Sequence, residues 1–470
     1  MKLSHALNIN PGEVAALVGA GGKTTAMFLL ANELATSLRV LTTTTTRIFA
    51  AQTKHSPVHV TFDPRRQAIA DLLPRLDKAI AAHGQALLTG PPDPDSDKVS
   101  GVSPDTIDIL AGSGLPGARQ TGRFDVIINE ADGARMLPLK APAAHEPVIP
   151  LCTTLVIPTA GLDALARPLG DATVHRAELI SQLTGTVLGH PVTADTVARL
   201  LCHPEGGLKK APDRARVVPL LNKVDEQLGS DGLNAARDIA NKLLRCDRVD
   251  SVVIGSMRRG EAPVAEVHRR VAAVILAAGG STRFGSPKQL ARWRGKTFIE
   301  QAVDTALASS ARPVVVVLGA EAERCRAALA DRPVEVVVNK SWMEGQSTSM
   351  QTGLAALPAN IGGAVFFLVD LPGVAADLID RLLQRHRETL APLVWPEFEG
   401  RRGNPILFDR ALFSELRQVR GDTGGKPVLL RHQDRAKRVV VSDKSILQDF
   451  DRPEDLAATE FNVQSSRFKG

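Results

Sequence analysis

Tyrosine is absent from this 470-residue chain, tryptophan occurs three times, and aromatics make up 4% of the sequence. Few ring faces are therefore available for stacking nucleic-acid bases. That argues against nucleic acid as a partner, although the net charge is +6 and the pI near 9.2, because the cations are dispersed rather than massed. Long apolar runs are also missing, so no membrane partner is expected. No secretory apolar segment precedes Gly12, which makes the cytoplasm the expected compartment. Cys152, Cys202, Cys246 and Cys325 stand apart without C-x-x-C spacing, excluding a disulfide framework and a structural zinc site. His145, Glu146 and His175 lack the H-x-x-x-H spacing of a metal pair and receive no assignment.

What remains is ordinary globular composition, 44% hydrophobic and 23% charged, at a length that suggests two domains. Short apolar runs at 14–18, 126–128, 155–157, 217–221 and 252–254, and a β-branched strand candidate at 40–45, alternate with amphipathic stretches such as 23–38. Residues 84–98, containing PPDPDSD, read as a loop. After the charged span 258–270, further strands are expected at 271–276, 314–318, 334–338 and 364–369, with helices at 298–309 and 375–386. This is an α/β pattern with largely parallel sheets. It divides into a domain at 1–259, a linker at 260–270 and a second domain at 271–470.

The run LAAGGSTRFGSPK (276–288) follows an apolar strand directly. Gly279 and Gly280 let backbone N–H groups approach an anion, while Arg283 and Lys288 add positive charge, so the loop is suited to phosphates. Asp370 stands at the end of another apolar run, where open α/β sheets bind ligands, and its hard oxygen suits Mg2+. Ser347, Thr348 and Ser349 begin a helix and have two uses, hydrogen-bonding a nucleotide or N-capping.

These blocks resemble, in order, the Rossmann-like (GT-A-like) nucleotidyltransferases: LAAGGSTRFGSPK, NKSWMEGQSTSMQTG, VDLP, GRRGNP, GDTGGKPVLL and DFDRPEDL. The similarity is nearest to the molybdenum cofactor cytidylyltransferases, whose guanylyltransferase relatives begin LAGG. The resemblance implies catalytic roles for Arg283, Lys288 and Asp370 and a nucleotide site at Leu276, Ala277, Ala278, Gly279, Gly280, Ser281, Ser347, Ser349 and Gly353. It implies Mg2+ on Asp370 and Asp451, with Asp449 the rival of the latter. It also implies transfer of CMP from CTP to Mo-molybdopterin with release of pyrophosphate, in the maturation of molybdenum hydroxylases. Two alternatives stay open: a guanylyltransferase or other nucleotidyltransferase on a phosphorylated acceptor, and a cofactor-insertion chaperone with a nucleotide switch acting on an apo molybdenum hydroxylase.

The first domain carries GAGGKTT between an apolar run and a helix, the context of a P-loop. Its spacing departs from G-x-x-x-x-G-K-[ST], since Leu17 falls where the first glycine belongs. Gly19, Gly21, Gly22, Lys23 and Thr24 are still placed to hold phosphates, and DVIINEADG (125–133) ends a strand in carboxylates. Asn222, Lys223 and Asp225 reproduce the N-K-x-D order with which GTPases recognise guanine; a plain Asn/Asp turn explains it equally. This part resembles the YqeC-type selenium-dependent hydroxylase accessory proteins over about 14–254, implying a P-loop-like nucleotide-binding accessory domain.

Overall fold

A computed structural model describes residues 1–112, 123–224, 229–281, 284–329, 331–450 and 454. The chain divides into two compact units, Met1–His268 and Arg269–Gly470.

The first unit is built on an all-parallel sheet. Its strands pair in the order His59–Thr61, Gln85–Thr89, Val40–Thr44, Val126–Glu130, Glu13–Gly19, Leu155–Gly161, Leu220–Asn222 and Ser251–Gly255. The central strands are buried along their whole length, as parallel strands covered by helices on both faces require, and polar members such as Thr42, Thr43, Thr44, Asn129 and Glu130 are buried with the apolar ones. Two expectations need correction. The span 84–98 is not all loop, because QALLT is apolar enough to enter the sheet before the proline-rich tract begins. The run 217–221 is interrupted, with strands Arg216–Val217 and Leu220–Asn222 on either side of Pro219, which has no N–H to give a ladder. The helix Lys23–Leu34 stops short of residue 38, where Thr36 and Ser37 favour competing backbone bonds.

The second unit has a mixed sheet. Glu335–Val338, Val314–Leu318, the strand ending at Ala277, and Ile361–Leu368 are mutually parallel; Ile406–Asp409 runs antiparallel between Ile361–Leu368 and Leu393–Phe398, and Lys437–Val440 closes the edge. Side chains alternate across the sheet. Ala273, Ile275 and Ala277 join a core with Phe298 and Ile379, whereas Ala272, Val274 and Leu276 join another with Leu354 and Phe408. The helix Phe298–Ala308 starts at a capping box, with Thr297 accepting from the Glu300 N–H and Glu300 accepting from the Thr297 N–H. The span read as a linker, 260–270, is not loop throughout: a strand runs without interruption from Val264 to Ala277, since VAEVHRRV continues the apolar pattern despite its charges.

Candidate functional site

In the second unit three parallel strands end together, at Ala277, Leu318 and Leu368. Their following loops enclose a cavity of about 760 Å3 lined by Ala278, Gly279, Gly280, Ser281, Lys288, Asp370 and neighbours. The loop after Ala277 is held from below by Gln289, which follows the motif directly and was not among the expected site residues. Gln289, 2% exposed, donates through Nε2 to the Ala277 and Gly279 carbonyls at 3.1 and 2.6 Å. Ser281 takes a left-handed φ of 52° and accepts at Oγ from the Lys288 N–H at 2.9 Å, while donating to Gln289 at 3.2 Å. Gly280 is required by close approach: a Cβ there would stand 2.8 Å from the Trp342 ring.

The charged pair of the site is Lys288 and Asp370, with Nζ to Oδ2 at 3.0 Å. The other carboxylate oxygen of Asp370, Oδ1, is buried and has no hydrogen-bond partner among the described residues. An anionic oxygen so placed in a phosphate-sized cavity fits a hard divalent cation. Arg283 and Asp451 lie outside the described residues. Asp449 is exposed and does not line the cavity.

The serine-rich segment enters the helix Gln346–Ala356 from Gly345 at φ 111°. N-capping is not done by the serines: Asp422, from the GDTGG block, accepts from the Gln346 N–H at 3.0 Å. Ser349 lines the cavity and accepts from the Asn339 amide at 3.0 Å. Ser347 is buried away from the lining with its hydroxyl unpartnered. Gly353 is placed differently from expectation. It packs the helix on the sheet, where a Cβ would meet Val274 Cγ1 at 2.5 Å and Val317 Cγ2 at 3.2 Å, and it does not line the cavity. Ala277 likewise sits beneath the loop, contributing its carbonyl to Gln289. Ala278 does line the cavity, yet it is only 4% exposed and its methyl is set against Gly319. A second cavity of about 270 Å3 shares Leu276, Gln346 and Leu368 with the first and adds Arg402, Asn404 and Lys426 over an apolar floor of Met350, Phe366 and Phe408.

In the first unit the GAGGKTT turn leads into the helix at Lys23. Gly21 must be glycine: at φ 85° a Cβ would lie 2.1 Å from the Gly161 N. Lys23 is 4% exposed; its ammonium donates to the Gly19 carbonyl at 2.6 Å and pairs with Asp132 at 3.2 Å and Glu130 at 3.8 Å. Thr24 donates to Glu130 at 2.7 Å. Burial pushes the Glu130 carboxyl up, against the pull of Lys23 and Thr24. Asp132 also accepts from the Gly19 N–H and pairs with the buried Lys140, which pairs with Glu146, which pairs with Arg176. Burial would raise Glu146, but the Ala143 N–H, Lys140 and Arg176 outweigh it and hold the carboxyl at about 2.

The structure gives the N-K-x-D residues bracing roles. Asn222 donates to the Gly21 carbonyl at 2.7 Å and accepts from the Lys223 and Met257 N–H groups, and Lys223 pairs with Asp163 at 2.8 Å. Asp225 lies outside the described residues. Among the described residues no helix is long and apolar enough to cross a membrane.

Comparison with known proteins assigns both units. The MobA-like NTP transferase domain family matches residues 273–436, and the YqeC protein family matches residues 15–178. An uncharacterized protein YqeC of Escherichia coli K12 is 35% identical over 214 residues, 45% of this chain and 77% of that protein. A nicotine blue oxidoreductase of Paenarthrobacter nicotinovorans is 33% identical over 193 residues, 40% of this chain and 94% of that protein. A solved structure, Rv0371c of Mycobacterium tuberculosis H37Rv, is 28% identical, covers 40% of this chain and 96% of its own, and has a TM-score of 0.38.

Proposed function

From a chain that belongs to the YqeC protein family in its first unit and to the MobA-like NTP transferase family in its second, we propose a molybdenum cofactor cytidylyltransferase. The second unit is that of a nucleotidyltransferase, an enzyme class that takes a nucleoside triphosphate and uses a divalent metal. The finer reading is that CTP is the donor and Mo-molybdopterin the acceptor. The observation that carries it is the pair of contiguous cavities, one with Lys288 and Asp370 for a triphosphate, the next with Arg402 and Lys426 over an apolar floor for a flat, phosphorylated acceptor.

In this reading the backbone of Gly279 and Gly280 and the Lys288 ammonium hold the triphosphate, and Gln289 and Ser281 keep that loop shaped before substrate arrives. Asp370 would hold Mg2+, which supplies charge neutralisation at the α-phosphate. An acceptor phosphate oxygen attacks the α-phosphorus, the α–β anhydride breaks, and pyrophosphate leaves. Lys288 balances charge on the leaving side, and no covalent protein intermediate is needed.

The test is a donor panel of CTP, GTP and ATP with metal-loaded molybdopterin, resolving dinucleotide from pyrophosphate. CTP is expected to give the highest kcat/KM; a preference for GTP would move the assignment to a guanylyltransferase. A second reading has one observation in its favour, that the relative from Paenarthrobacter nicotinovorans is named an oxidoreductase. Reduction of nicotine blue by a supplied two-electron donor, with no pyrophosphate from any nucleoside triphosphate, would favour it.

A further inference from the structure

The first unit contains a cavity that nucleotidyl transfer in the second leaves unused. It measures about 230 Å3 and opens at the start of the twelve-residue helix Lys23–Leu34, where Gly21, Gly22, Lys23, Thr24 and Thr25 form one wall. Its lining charge is mainly positive. Six cations line it, Lys23, Arg47, Lys98, Arg135, Lys223 and Arg258, beside one lining carboxylate, Glu130, although Lys23, Arg47 and Lys223 are also paired with Asp132, Asp93 and Asp163 outside the lining. The opposite wall is apolar, with Ile48, Phe49, Met136, Leu137 and Met257; Phe49 is 39% exposed and Lys98 lies 5.0 Å from its ring centroid.

We infer that this cavity binds a nucleoside triphosphate. Phosphates placed against the Gly21–Thr25 wall meet backbone N–H groups at a helix start and the Lys23 ammonium. Lys23 stands at that wall with its ammonium engaged by the Gly19 carbonyl, Asp132 and Glu130, contacts it exchanges for phosphate oxygens when the anion binds. Thr24 and Glu130, bonded to each other, offer two hard oxygens for the cation that accompanies a triphosphate. The surplus of cations opposes a neutral or cationic ligand, and the apolar wall with an exposed ring suits a nucleobase better than an inorganic polyphosphate.

Hydrogen exchange on the full chain resolves the two units, since protection over residues 19–34 reports this cavity and protection over 276–290 reports the transferase site. The probes are the magnesium complexes of ATP, GTP and CTP, with magnesium tripolyphosphate as the control. At least one nucleotide is expected to protect 19–34 and to bind more tightly there than tripolyphosphate. Lys23→Ala is expected to weaken that protection by at least about tenfold in nucleotide concentration, leaving protection of 276–290 unchanged. Because Lys23 is buried, the exposed Arg135→Glu serves as a second variant, expected to weaken binding about tenfold without disturbing the core. No protection of 19–34 by any nucleotide, binding of tripolyphosphate as tight as every nucleotide, or indifference to Arg135→Glu would each overturn the inference. None of these outcomes bears on the transferase site, which the 276–290 segment reads independently.

Discussion

Replacing Asp370 by asparagine separates chemistry from stability, because the two roles of that carboxylate have very different sizes. As a structural group it makes, among the described residues, one ion pair, to Lys288 at 3.0 Å, with side chains 23% and 11% exposed. That lies between an exposed pair, worth about 0–1 kcal/mol, and a fully buried one, whose breaking costs about 3–5 kcal/mol. Asparagine keeps the shape and a hydrogen-bonding oxygen, so the melting temperature is expected to fall by no more than about 4–8 °C. As a metal-holding group it has an oxygen with no other partner among the described residues, and loss of its charge removes charge neutralisation worth several kcal/mol at the reacting phosphate. At 1.36 kcal/mol per factor of ten, a loss of about 3–5 kcal/mol lowers kcat by about 10²–10⁴-fold. The assay is pyrophosphate release under saturating CTP, metal-loaded molybdopterin and magnesium, beside thermal unfolding of the same preparation. Turnover within about threefold of the natural chain, with an unchanged melting temperature, would remove Asp370 from the site and with it the metal position argued here.

Three further outcomes are expected. Gly353→Ala should destabilise the second unit by about 1–3 kcal/mol, since its methyl must displace Val274 and Val317, while KM for the nucleotide stays level in the folded protein; a raised KM with unchanged melting would return Gly353 to the nucleotide site. Glu146 titrates at about 2 in the fold against 4.5 ordinarily, so the stability it confers is fully present above about pH 4.5 and lost as pH falls toward 2. Glu146→Gln should therefore flatten the acid limb of a stability–pH curve in that window, and an unaltered limb would show that the pairing with Lys140 and Arg176 contributes nothing. Ala278→Gly should change the CTP to GTP ratio in kcat/KM by less than about tenfold, because the Ala278 methyl is 4% exposed and turned toward Gly319; a reversal of donor preference would make this one carbon the base selector.

Much of the fold was legible because parallel strands buried on both faces leave unbroken apolar runs, as at 314–318 and 361–368, while 40–44 was legible from its β-branched residues. Composition misled where one segment holds two characters. QALLT and PPDPDSD share a stretch that averages to loop, and RRGEAPVAEVHRR contains a strand whose charges conceal its apolar alternation. Inside the site, the residues that act through long-range contacts could not be read. Asp422 is an ordinary polar residue in sequence, and only the fold brings it to the Gln346 N–H, 76 residues away. Gly353 shows the converse, a glycine inside a motif whose smallness serves helix-to-sheet packing.

The two glycine loops are braced from different distances along the chain. In the second unit the loop is braced from within the motif's own neighbourhood, by Ser281 and Gln289, so the sequence block carries both the cradle and much of its support. In the first unit the support is remote: Asn222 holds Gly21 across 201 residues, and Asp132 holds the Gly19 N–H across 113. An N-K-x-D order therefore contains a group that maintains the shape of the phosphate loop. It follows that Asn222→Ala should loosen nucleotide binding without regard to the base, lowering affinity for ATP, GTP and CTP by the same factor. A loss confined to GTP would instead return Asn222 to recognition of guanine.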